Sequence, residues 1–363
     1  MNVEKESVTS DVLHVQSQTF DMLMEAPKVF VYGAGGAGKC ISGLLKNKGI
    51  EIDGFIDSNS SRSGEVVDGI TIYRVDELNL VNSVVIVATM FYWEVLPKLA
   101  FAINKLDKLL FYFHYVEDPS TFFLTPSYAD SCNHLVSILA DDQSREVVRS
   151  LLSYRATLDK TYIDRINTSP QYFCELPAHI DYSNFYDIGA FTGDTLDALD
   201  QNNITPKQMV CFEPDENNFE VLERKYSSAK VSLQNVAVGN EEGVIRFEPT
   251  TLGYSSKVAD SGSVTVKQIM LDKFCGGDIA PPTFLKIDVE GSDLDVLKGA
   301  INVISRQRPT IAVSIYHNPA HLHAIPTWIN ENLTDYDLFI RHHRDSIYET
   351  ICYAVPKERV NES

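Results

Sequence analysis

Short apolar runs alternate with longer amphipathic segments along the first third of the chain. The apolar runs predict strands at Lys28–Tyr32, Glu51–Ile56, Ile70–Tyr73, Val84–Ala88 and Leu109–Phe113. The two longest segments between them predict helices at Gly36–Lys48 and Trp93–Asn104. Strands that alternate with helices in this way are typical of a parallel sheet covered by helices.

The same alternation returns in the second half of the chain. It predicts strands near 184–188, 208–212, 231–238, 284–288 and 310–316, with helices between them. Two further runs, Tyr336–Arg341 and Thr350–Val355, are separated by only a short polar stretch, which predicts an antiparallel hairpin added to the parallel sheet. Between the two halves, residues 128–167 lose the strand pattern, and their apolar residues recur at the spacing of a helix.

These patterns predict an α/β protein with two Rossmann-like domains, the second of which ends in the antiparallel hairpin. A length of 363 residues also suits roughly two domains. We expect a polar N-terminal tail or loose helix at 1–26, a small nucleotide-binding-type domain at 27–120, a helical connector at 121–175 and the second domain at 176–358.

The composition is that of a soluble globular protein and narrows the classes of partner. Net charge is −19, from 50 acidic and 31 basic residues. Without a Lys/Arg-rich run to contact phosphates, we expect no nucleic-acid partner. The six cysteines show no Cys-x-x-Cys spacing, which favours reduced thiols over a zinc site or disulfides. The apolar runs are too short to span a bilayer, and the first residues lack a signal-peptide core, so we expect a cytoplasmic protein.

The segment Asp187–Asp194 carries the clearest chemical information. It follows an apolar strand and contains Gly189 and Gly193, whose missing Cβ atoms allow a tight turn and let a ligand lie against the backbone. A second strand, Met209–Phe212, ends at Glu213, where a carboxylate can accept hydrogen bonds from a ribose diol. The turn is not Gly-x-Gly-x-x-Gly, and the two aspartates that flank it suit a cationic ligand better than a pyrophosphate. This combination points to S-adenosylmethionine rather than a dinucleotide.

Several separated motifs in the C-terminal half occur together in one known order. They are Asp187-Ile-Gly-Ala-Phe-Thr-Gly-Asp194, Phe212-Glu-Pro-Asp215, Asn235-Val-Ala-Val-Gly239, Leu271-Asp272, Lys286-Ile-Asp-Val-Glu-Gly291, Leu297-Lys-Gly-Ala300, Arg308-Pro309 and Tyr316-His-Asn-Pro319. Residues 170–356 thereby resemble the FkbM-type methyltransferases, a branch of the class I S-adenosylmethionine-dependent enzymes. Each motif alone is weak, whereas the ordered set is specific. The resemblance implies a class I methyltransferase sheet and S-adenosylmethionine as cofactor.

The resemblance also implies roles for individual positions. The cofactor-binding residues that it implies are Asp187, Gly189, Ala190, Gly193 and Asp194 around the methionine part, Glu213 at the ribose, and Asn235 and Val236 at the adenine. Asp187 either meets the amino-acid end of the cofactor or only caps the turn. For Glu213 the alternative is a solvated loop carboxylate.

A second cluster is predicted where two later strands end. Side chains alternate along a strand, so Asp288 and Glu290 share a face at the edge where open α/β sheets bind ligands. His317 joins them if its strand lies beside theirs, as in the class I order. Methyl transfer mainly requires that an acceptor oxygen be aligned with the methyl group, and His317 or Asp288 can act as a base for a hydroxyl. We predict these three residues as the catalytic group.

Each member of this group has an alternative role. His317 can be a loop histidine bonded to backbone, and Glu290 can bond to the helix start at Ser292-Asp293. Two carboxylates and an imidazole at strand ends also suit a divalent metal ion. The spacing does not require a metal, so the primary expectation is a metal-independent site.

The N-terminal half has a glycine motif of its own. Gly33, Gly35 and Gly38 form Gly-x-Gly-x-x-Gly between a strand and a helix, and Asp57 follows at the end of the second strand. The segment resembles the small Rossmann-like domain found ahead of sugar-modifying enzymes, including some acetyltransferases, which implies a nucleotide or nucleotide sugar as ligand. The alternative is a scaffold in which the glycines serve only strand–helix packing.

We therefore expect an S-adenosylmethionine-dependent O-methyltransferase whose acceptor is a hydroxyl of a sugar or glycan precursor. One alternative is a non-catalytic nucleotide- or nucleotide-sugar-binding protein that kept the methyltransferase fold. Another is an NAD-linked enzyme that uses the N-terminal glycine loop, although that half contains no Tyr-x-x-x-Lys pair for hydride transfer.

Overall fold

The computed structural model describes residues 8–115, 118–226, 230–248, 257–258, 264–276 and 279–360. Its α-helices are α1 Val8–Glu25, α2 Gly36–Lys46, α3 Tyr92–Leu99, α4 Pro126–Ile138, α5 Asp142–Thr157, α6 Thr161–Asp164, α7 Asp194–Gln201, α8 Glu216–Lys225, α9 Leu271–Phe274, α10 Asp293–Gly299, α11 Ile301–Gln307 and α12 His321–Asn332. Short 3-10 helices lie at Ser60–Arg62, Val75–Glu77, Ile103–Lys105, Pro119–Thr121 and Lys357–Arg359. Within these ranges, each helix is too short or too polar to cross a bilayer.

The N-terminal sheet has six strands in the order β3-β4-β2-β1-β5-β6. They are β1 Val29–Tyr32, β2 Gly54–Ile56, β3 Val66–Val67, β4 Ile70–Tyr73, β5 Val84–Val87 and β6 Lys108–Phe111. All neighbours except β3 and β4 pair in parallel. Strands β1 and β5 are buried along their whole length, which explains their uninterrupted apolar sequences. The glycine turn after β1 lies between β2 and β5, at the switch point where such sheets bind ligands.

The C-terminal sheet has seven strands in the order β16-β17-β15-β14-β7-β8-β9. They are β7 Asn184–Ile188, β8 Gln208–Phe212, β9 Val231–Gln234, β14 Phe284–Ile287, β15 Thr310–Ser314, β16 Tyr336–His342 and β17 Thr350–Pro356. Strand β17 runs antiparallel to both of its neighbours, and the other pairs are parallel. The structure thus confirms the α/β fold class, the terminal hairpin, and the expected contact between the strands that precede Asp288 and His317.

One predicted strand, 231–238, is two strands that belong to different sheets. After β9 the chain turns at Asn235, whose side-chain amide donates to the carbonyl of Glu213 at 2.9 Å. It then enters a four-stranded sheet in the order β10-β13-β11-β12. The strands are β10 Ala237–Val238, β11 Gly243–Glu248, β12 Lys257–Val258 and β13 Val264–Ile269. The sequence does not reveal this break, because apolar residues occur on both sides of Asn235, partly buried in β9 and buried in β10.

The N-terminal segment, predicted as a polar tail or loose helix, forms a packed helix over Val8–Glu25. Helix α1 buries Val12 and Leu23 and packs against α4 and α5. The side chain of Gln16 exchanges two hydrogen bonds with the backbone of Leu124, at 3.0 and 2.8 Å. Because buried positions include polar residues such as Gln16, the amphipathic pattern in the sequence is weak.

The connector contacts both the N-terminal domain and the C-terminal domain. Helix α5 packs on α1 and on β16, and its N-cap residue Asp141 pairs with the buried Arg341 of β16 at 2.6 Å. The backbone N–H of Ala140 donates to Leu338 at 2.9 Å, and that of Thr168 donates to His342 at 2.7 Å. The connector therefore lies along the outer edge of β16.

Candidate active site

The glycine turn after β7 is locked against the neighbouring strand β14. Gly189 and Gly193 have φ angles of +84° and +91°, which glycine adopts without strain. A Cβ at Gly189 would lie 1.8 Å from the carbonyl oxygen of Asp288. A Cβ at Gly193 would lie 2.4 Å from the ring of Tyr226. Glycine is thus required at both positions by packing as well as by backbone conformation.

Two other predicted residues of this turn differ in their exposure to solvent. Ala190 is fully buried, whereas Asp194 is exposed as the first residue of α7. Phe191 has a φ of +46°, a conformation that few residues other than glycine adopt. The residue precedes α7, and its backbone N–H donates to the carboxylate of Glu213 at 2.8 Å.

Asp187 lies beneath the turn, away from its open side. Its carboxylate is fully buried and pairs with Lys286 of β14 at 2.8 Å, because the two residues are register partners on adjacent strands. The ammonium group of Lys286 also donates to the carbonyl of Gly189 at 2.6 Å. Burial raises the pKa of Asp187 to about 6, against the opposing effect of Lys286. This geometry favours the alternative in which Asp187 fixes the turn.

Lys286 is a buried cation that sequence reasoning placed on the same face as Asp288 without giving it a role. Burial by itself would lower its pKa, but the carboxylates of Asp187, Asp288 and Asp194 hold that pKa above its usual value. The ion pair with Asp187 therefore stays charged in the interior.

Glu213 bridges β8 and the glycine turn. One carboxylate oxygen accepts from Phe191 N–H, and the other accepts from Asp215 N–H at 2.9 Å. The side chain is only 6% exposed, and burial raises its pKa to about 7 although these two hydrogen bonds oppose the rise. Glu213 is thus not the solvated loop carboxylate of the alternative interpretation.

Asn235 and Val236 lie where the chain leaves β9. The side chain of Asn235 is exposed and holds the turn after β8 through the carbonyls of Glu213 and Pro214, at 2.9 and 3.3 Å. Val236 is half-buried beside it. Both residues therefore stand next to Glu213, on the side away from β14.

Asp288 follows β14 and is held by two tyrosines. Tyr172 donates to Oδ2 at 2.9 Å and Tyr316 donates to Oδ1 at 3.2 Å. Burial alone would raise the pKa of Asp288, but His317 and Lys286 hold that pKa below its usual value. Tyr172 comes from the connector, and nothing in its sequence context identified it as part of this site.

His317 lies at the centre of the cluster and is fully buried. Its Nδ1 is 2.9 Å from Oδ2 of Asp293. Its Nε2 lies 3.2 Å from Oδ1 of Asp288 and 3.5 Å from Oε2 of Glu290. Burial opposes protonation of His317, yet the charges of Asp293 and Asp288 raise its pKa well above the ordinary value. Both ring nitrogens face carboxylates, so the loop histidine bonded to backbone is ruled out.

Asp293 was missed as a site residue, and it holds the loop that precedes α10. Its carboxylate accepts from the backbone N–H groups of Val289 and Gly291, at 3.1 and 3.2 Å, at the start of α10. Asp293 could have been identified from its place at the predicted helix start, three residues after Glu290, where an aspartate is favoured.

Glu290 is left free of the helix start and faces the open edge of the sheet. Its side chain is 33% exposed, and its backbone is left-handed, with a φ of +54°. Burial raises the pKa of Glu290 to about 7, and the nearby His317 opposes that rise. The structure therefore brings all three predicted catalytic residues together, with Asp288 and Glu290 nearer to solvent than His317.

The N-terminal glycine motif divides into packing and open positions. A Cβ at Gly38 would lie 1.8 Å from the carbonyl oxygen of Gly33, while one at Gly35 would meet nothing within 4 Å. Gly33 has a φ of +109°. Asp57 pairs with Arg62 at 3.0 Å and accepts from Ala34 N–H at 3.3 Å. Gly33 and Gly38 thus have the packing role of the scaffold interpretation, and the surface at Gly35 is open.

Comparisons with known proteins agree with this architecture. The crystal structure of methyltransferase FkbM from Methylobacillus flagellatus KT superimposes with a TM-score of 0.66 over 96% of this chain and 99% of that chain, at 19% sequence identity. At that identity the likeness concerns the fold. Residues 25–103 match the family described as C2185-like, N-terminal.

Two sequence comparisons concern the methyltransferase half. The hexuronic acid methyltransferase AglP of Haloferax volcanii is 32% identical over 105 residues, which are 28% of this chain and 44% of that protein. The match therefore spans less than half the length of this curated relative. Residues 187–338 match the Methyltransferase FkbM domain, in agreement with the motif order and the strand order. The C-terminal half of the chain is therefore similar to the FkbM methyltransferases, over residues 187–338.

Proposed function

We propose that the protein transfers a methyl group from S-adenosylmethionine to a hydroxyl of a sugar or glycan precursor. The observation that carries the proposal is the direct contact between two groups of residues at one edge of the C-terminal sheet. The glycine turn after β7 is bonded to Glu213 of β8 on one side and packs on the Asp288 backbone of β14 on the other. The ends of parallel strands are where open α/β sheets bind their ligands.

The cofactor half of the site is the turn with Glu213. The left-handed glycines shape a tight turn for the methionine part, and Glu213 is placed to accept hydrogen bonds from the ribose in exchange for those from Phe191 and Asp215. Asn235 and Val236 border the same end of β8 and are assigned to the adenine. Asp187 serves this half indirectly, since its pairing with Lys286 holds the turn.

The acceptor half is the edge formed by Asp288 and Glu290. An acceptor oxygen bonds to the methyl carbon as the carbon–sulfur bond breaks, and S-adenosylhomocysteine leaves. The hydroxyl proton passes to an edge carboxylate and then to solvent. Asp288 and Glu290 are partly exposed, whereas His317 is fully buried. We therefore assign proton acceptance to the carboxylates and a positioning role to His317.

A polyhydroxy acceptor suits this edge. Carboxylate oxygens accept hydrogen bonds from sugar hydroxyls, and the phenol groups of Tyr172 and Tyr316 lie beside Asp288. The name of the relative AglP, a hexuronic acid methyltransferase, supports a sugar as the class of acceptor. The proposal extends to this class and not to a particular sugar.

Calorimetric titration with S-adenosylhomocysteine and with NAD tests the cofactor. We expect micromolar affinity for the first compound, which corresponds to about −8 kcal/mol, and no heat from the second. Uptake of labelled methyl groups by a panel of nucleotide sugars, uronic acids and glycan fragments then tests the reaction. Binding of NAD alone would favour the NAD-linked alternative, and cofactor binding without any methyl acceptor would favour the non-catalytic one.

A further inference from the structure

The imidazole of His317 is held rigidly by one of the carboxylates around it. Asp293 accepts from Nδ1 at 2.9 Å and is itself fixed by two backbone N–H groups. Neither His317 nor Asp293 is exposed to solvent. This hydrogen bond and the burial orient the ring so that its Nε2 faces Asp288 and Glu290.

The Nε2 atom is buried and, among the described residues, has no hydrogen-bond partner with acceptable geometry. It lies 3.2 Å from Oδ1 of Asp288 and 3.5 Å from Oε2 of Glu290. Buried polar atoms without an aligned partner are rare in folded proteins and indicate a missing ligand or ion. The ligand atoms of Asp288, Asp293 and His317 all lie within 4.8 Å of one another.

These separations fit the coordination shell of a divalent cation. Neighbouring ligands at about 2.1 Å from an octahedral ion are about 3 Å apart. The distances from Nε2 to the two carboxylate oxygens, 3.2 and 3.5 Å, need only small side-chain movements to reach that value. Asp288 and Glu290 also have partly exposed side chains, so further positions of the shell are open to water or to an acceptor.

We propose that Asp288, Glu290 and His317 bind a divalent cation, with Asp293 as the carboxylate that orients the imidazole. A carboxylate that accepts from the second ring nitrogen is the usual support of a metal-binding histidine. Two carboxylates and one imidazole suit Mn²⁺ or Mg²⁺ better than a thiolate-preferring metal. The cation takes the place of the proton on Nε2, since a metal-bound imidazole is neutral.

The location gives the ion a role at the acceptor. The backbone of Asp288 packs against Gly189, so the ion lies beside the proposed cofactor turn. There it can bind an acceptor hydroxyl and lower the pKa of that hydroxyl, whose proton then passes to a water molecule at the open side of the shell and on to solvent. This role rests on the proposed methyl transfer, whereas the ion site itself rests only on the four side chains.

A titration with Mn²⁺ tests the site. The full chain is first treated with EDTA and desalted, and the binding of added Mn²⁺ is then followed by electron paramagnetic resonance. We expect one bound Mn²⁺ per chain and an affinity at least ~10-fold lower in Glu290→Gln and in Asp288→Asn. Glu223→Gln, which changes an exposed glutamate of α8, is the matched control and should bind as the unmodified chain does. If either Glu290→Gln or Asp288→Asn misfolds, the other still tests the site, and circular dichroism verifies the fold of both.

Absence of Mn²⁺ binding at millimolar concentrations, or equal binding in all three variants, would overturn the proposal. Titration of the same samples with S-adenosylhomocysteine separates it from the proposed function. Cofactor binding without Mn²⁺ binding removes the ion site alone. Mn²⁺ binding without cofactor binding supports the ion site and removes the methyltransferase proposal.

Discussion

The carbonyl oxygen of Asp288 occupies the space that a side chain at Gly189 would need, 1.8 Å from the position of its Cβ. The turn proposed for the cofactor and the edge proposed for the acceptor are thus in direct backbone contact.

Gly189→Ala should therefore destabilise the domain. The left-handed conformation and the overlap with Asp288 together cost about 2–5 kcal/mol. Denaturant unfolding measures the loss. The matched control is Gly43→Ala in the exposed face of α2, where a Cβ meets nothing within 4 Å and should stabilise by about 0.4–1 kcal/mol. Equal effects of the two substitutions would contradict the packing role of Gly189.

Lys286→Met should leave the buried carboxylate of Asp187 without its partner. Removal of one member of a buried pair costs about 3–5 kcal/mol of unfolding free energy, whereas replacement of both by Met and Leu should recover most of it. Urea titrations of the single and double variants measure the coupling. Lys298→Met, at an exposed pair with Asp295, should leave the midpoint nearly unchanged. An equally mild effect at Lys286 would show that Asp187 is neutral in the native protein.

Glu213→Gln should weaken binding of S-adenosylhomocysteine by about 1–3 kcal/mol, because charge-assisted hydrogen bonds to the ribose are lost. In the unmodified chain this affinity should increase as pH rises through about 7, the raised pKa of Glu213, since only the ionised carboxylate is a full acceptor. Calorimetry at several pH values measures both effects. An affinity independent of pH and of the substitution would remove Glu213 from the site.

The same group should affect stability in the opposite sense. Because the folded pKa lies above the ordinary value of 4.5, the contribution of Glu213 is fully present below about pH 4.5 and is lost as pH rises through about 7. Glu213→Gln should flatten that decline in a series of thermal melts and should melt higher than the unmodified chain at pH 8. A melting curve with the same pH dependence in both proteins would assign the decline to other groups.

Asp288→Asn keeps the shape of the side chain and removes its charge. We expect affinity for S-adenosylhomocysteine within a few-fold of normal and turnover lower by about 100-fold or more. Labelled methyl transfer measures turnover once an acceptor is known. Normal turnover in a folded variant would place proton acceptance elsewhere.

Gly35→Val tests which half binds the cofactor. The position is exposed and open, so the variant should fold, block any ligand on the N-terminal glycine loop and leave S-adenosylhomocysteine binding intact. Gly38→Val, which meets the carbonyl of Gly33, should instead destabilise the first domain. Loss of cofactor binding in folded Gly35→Val would show that the cofactor lies on the N-terminal loop.

The strands themselves followed from the alternating apolar runs. The meeting of Asp288 with His317 was expected on the condition that their strands are neighbours, as in the class I order, and the pairing of β14 with β15 fulfils that condition. The roles of Asp293 and Tyr172 did not follow from the sequence. Asp293 acts through a ring nitrogen that lies 24 residues away in sequence. Tyr172 reaches Asp288 from the connector, across 116 residues. Such contacts depend on tertiary packing, for which a single local pattern holds no information.

The small antiparallel sheet was missed, and helix α1 was predicted only as a polar tail or loose helix, for a related reason. The break at Asn235 falls inside one predicted strand, and the buried face of α1 includes Gln16, whose amide is satisfied by the backbone of Leu124. In both places hydrogen bonds to distant residues, rather than hydrophobic periodicity, determine the structure.

The connector along β16 has a consequence for solubility. An uncovered edge strand offers unpaired N–H and C=O groups to any other strand and promotes aggregation. Here Leu338 and His342 accept hydrogen bonds from Ala140 and Thr168, so part of that edge is already engaged. Strand β16 is also almost entirely buried, although Asp337, Arg341 and His342 stand among its apolar residues. Proteolytic removal of the connector should therefore expose this edge to pairing with other strands.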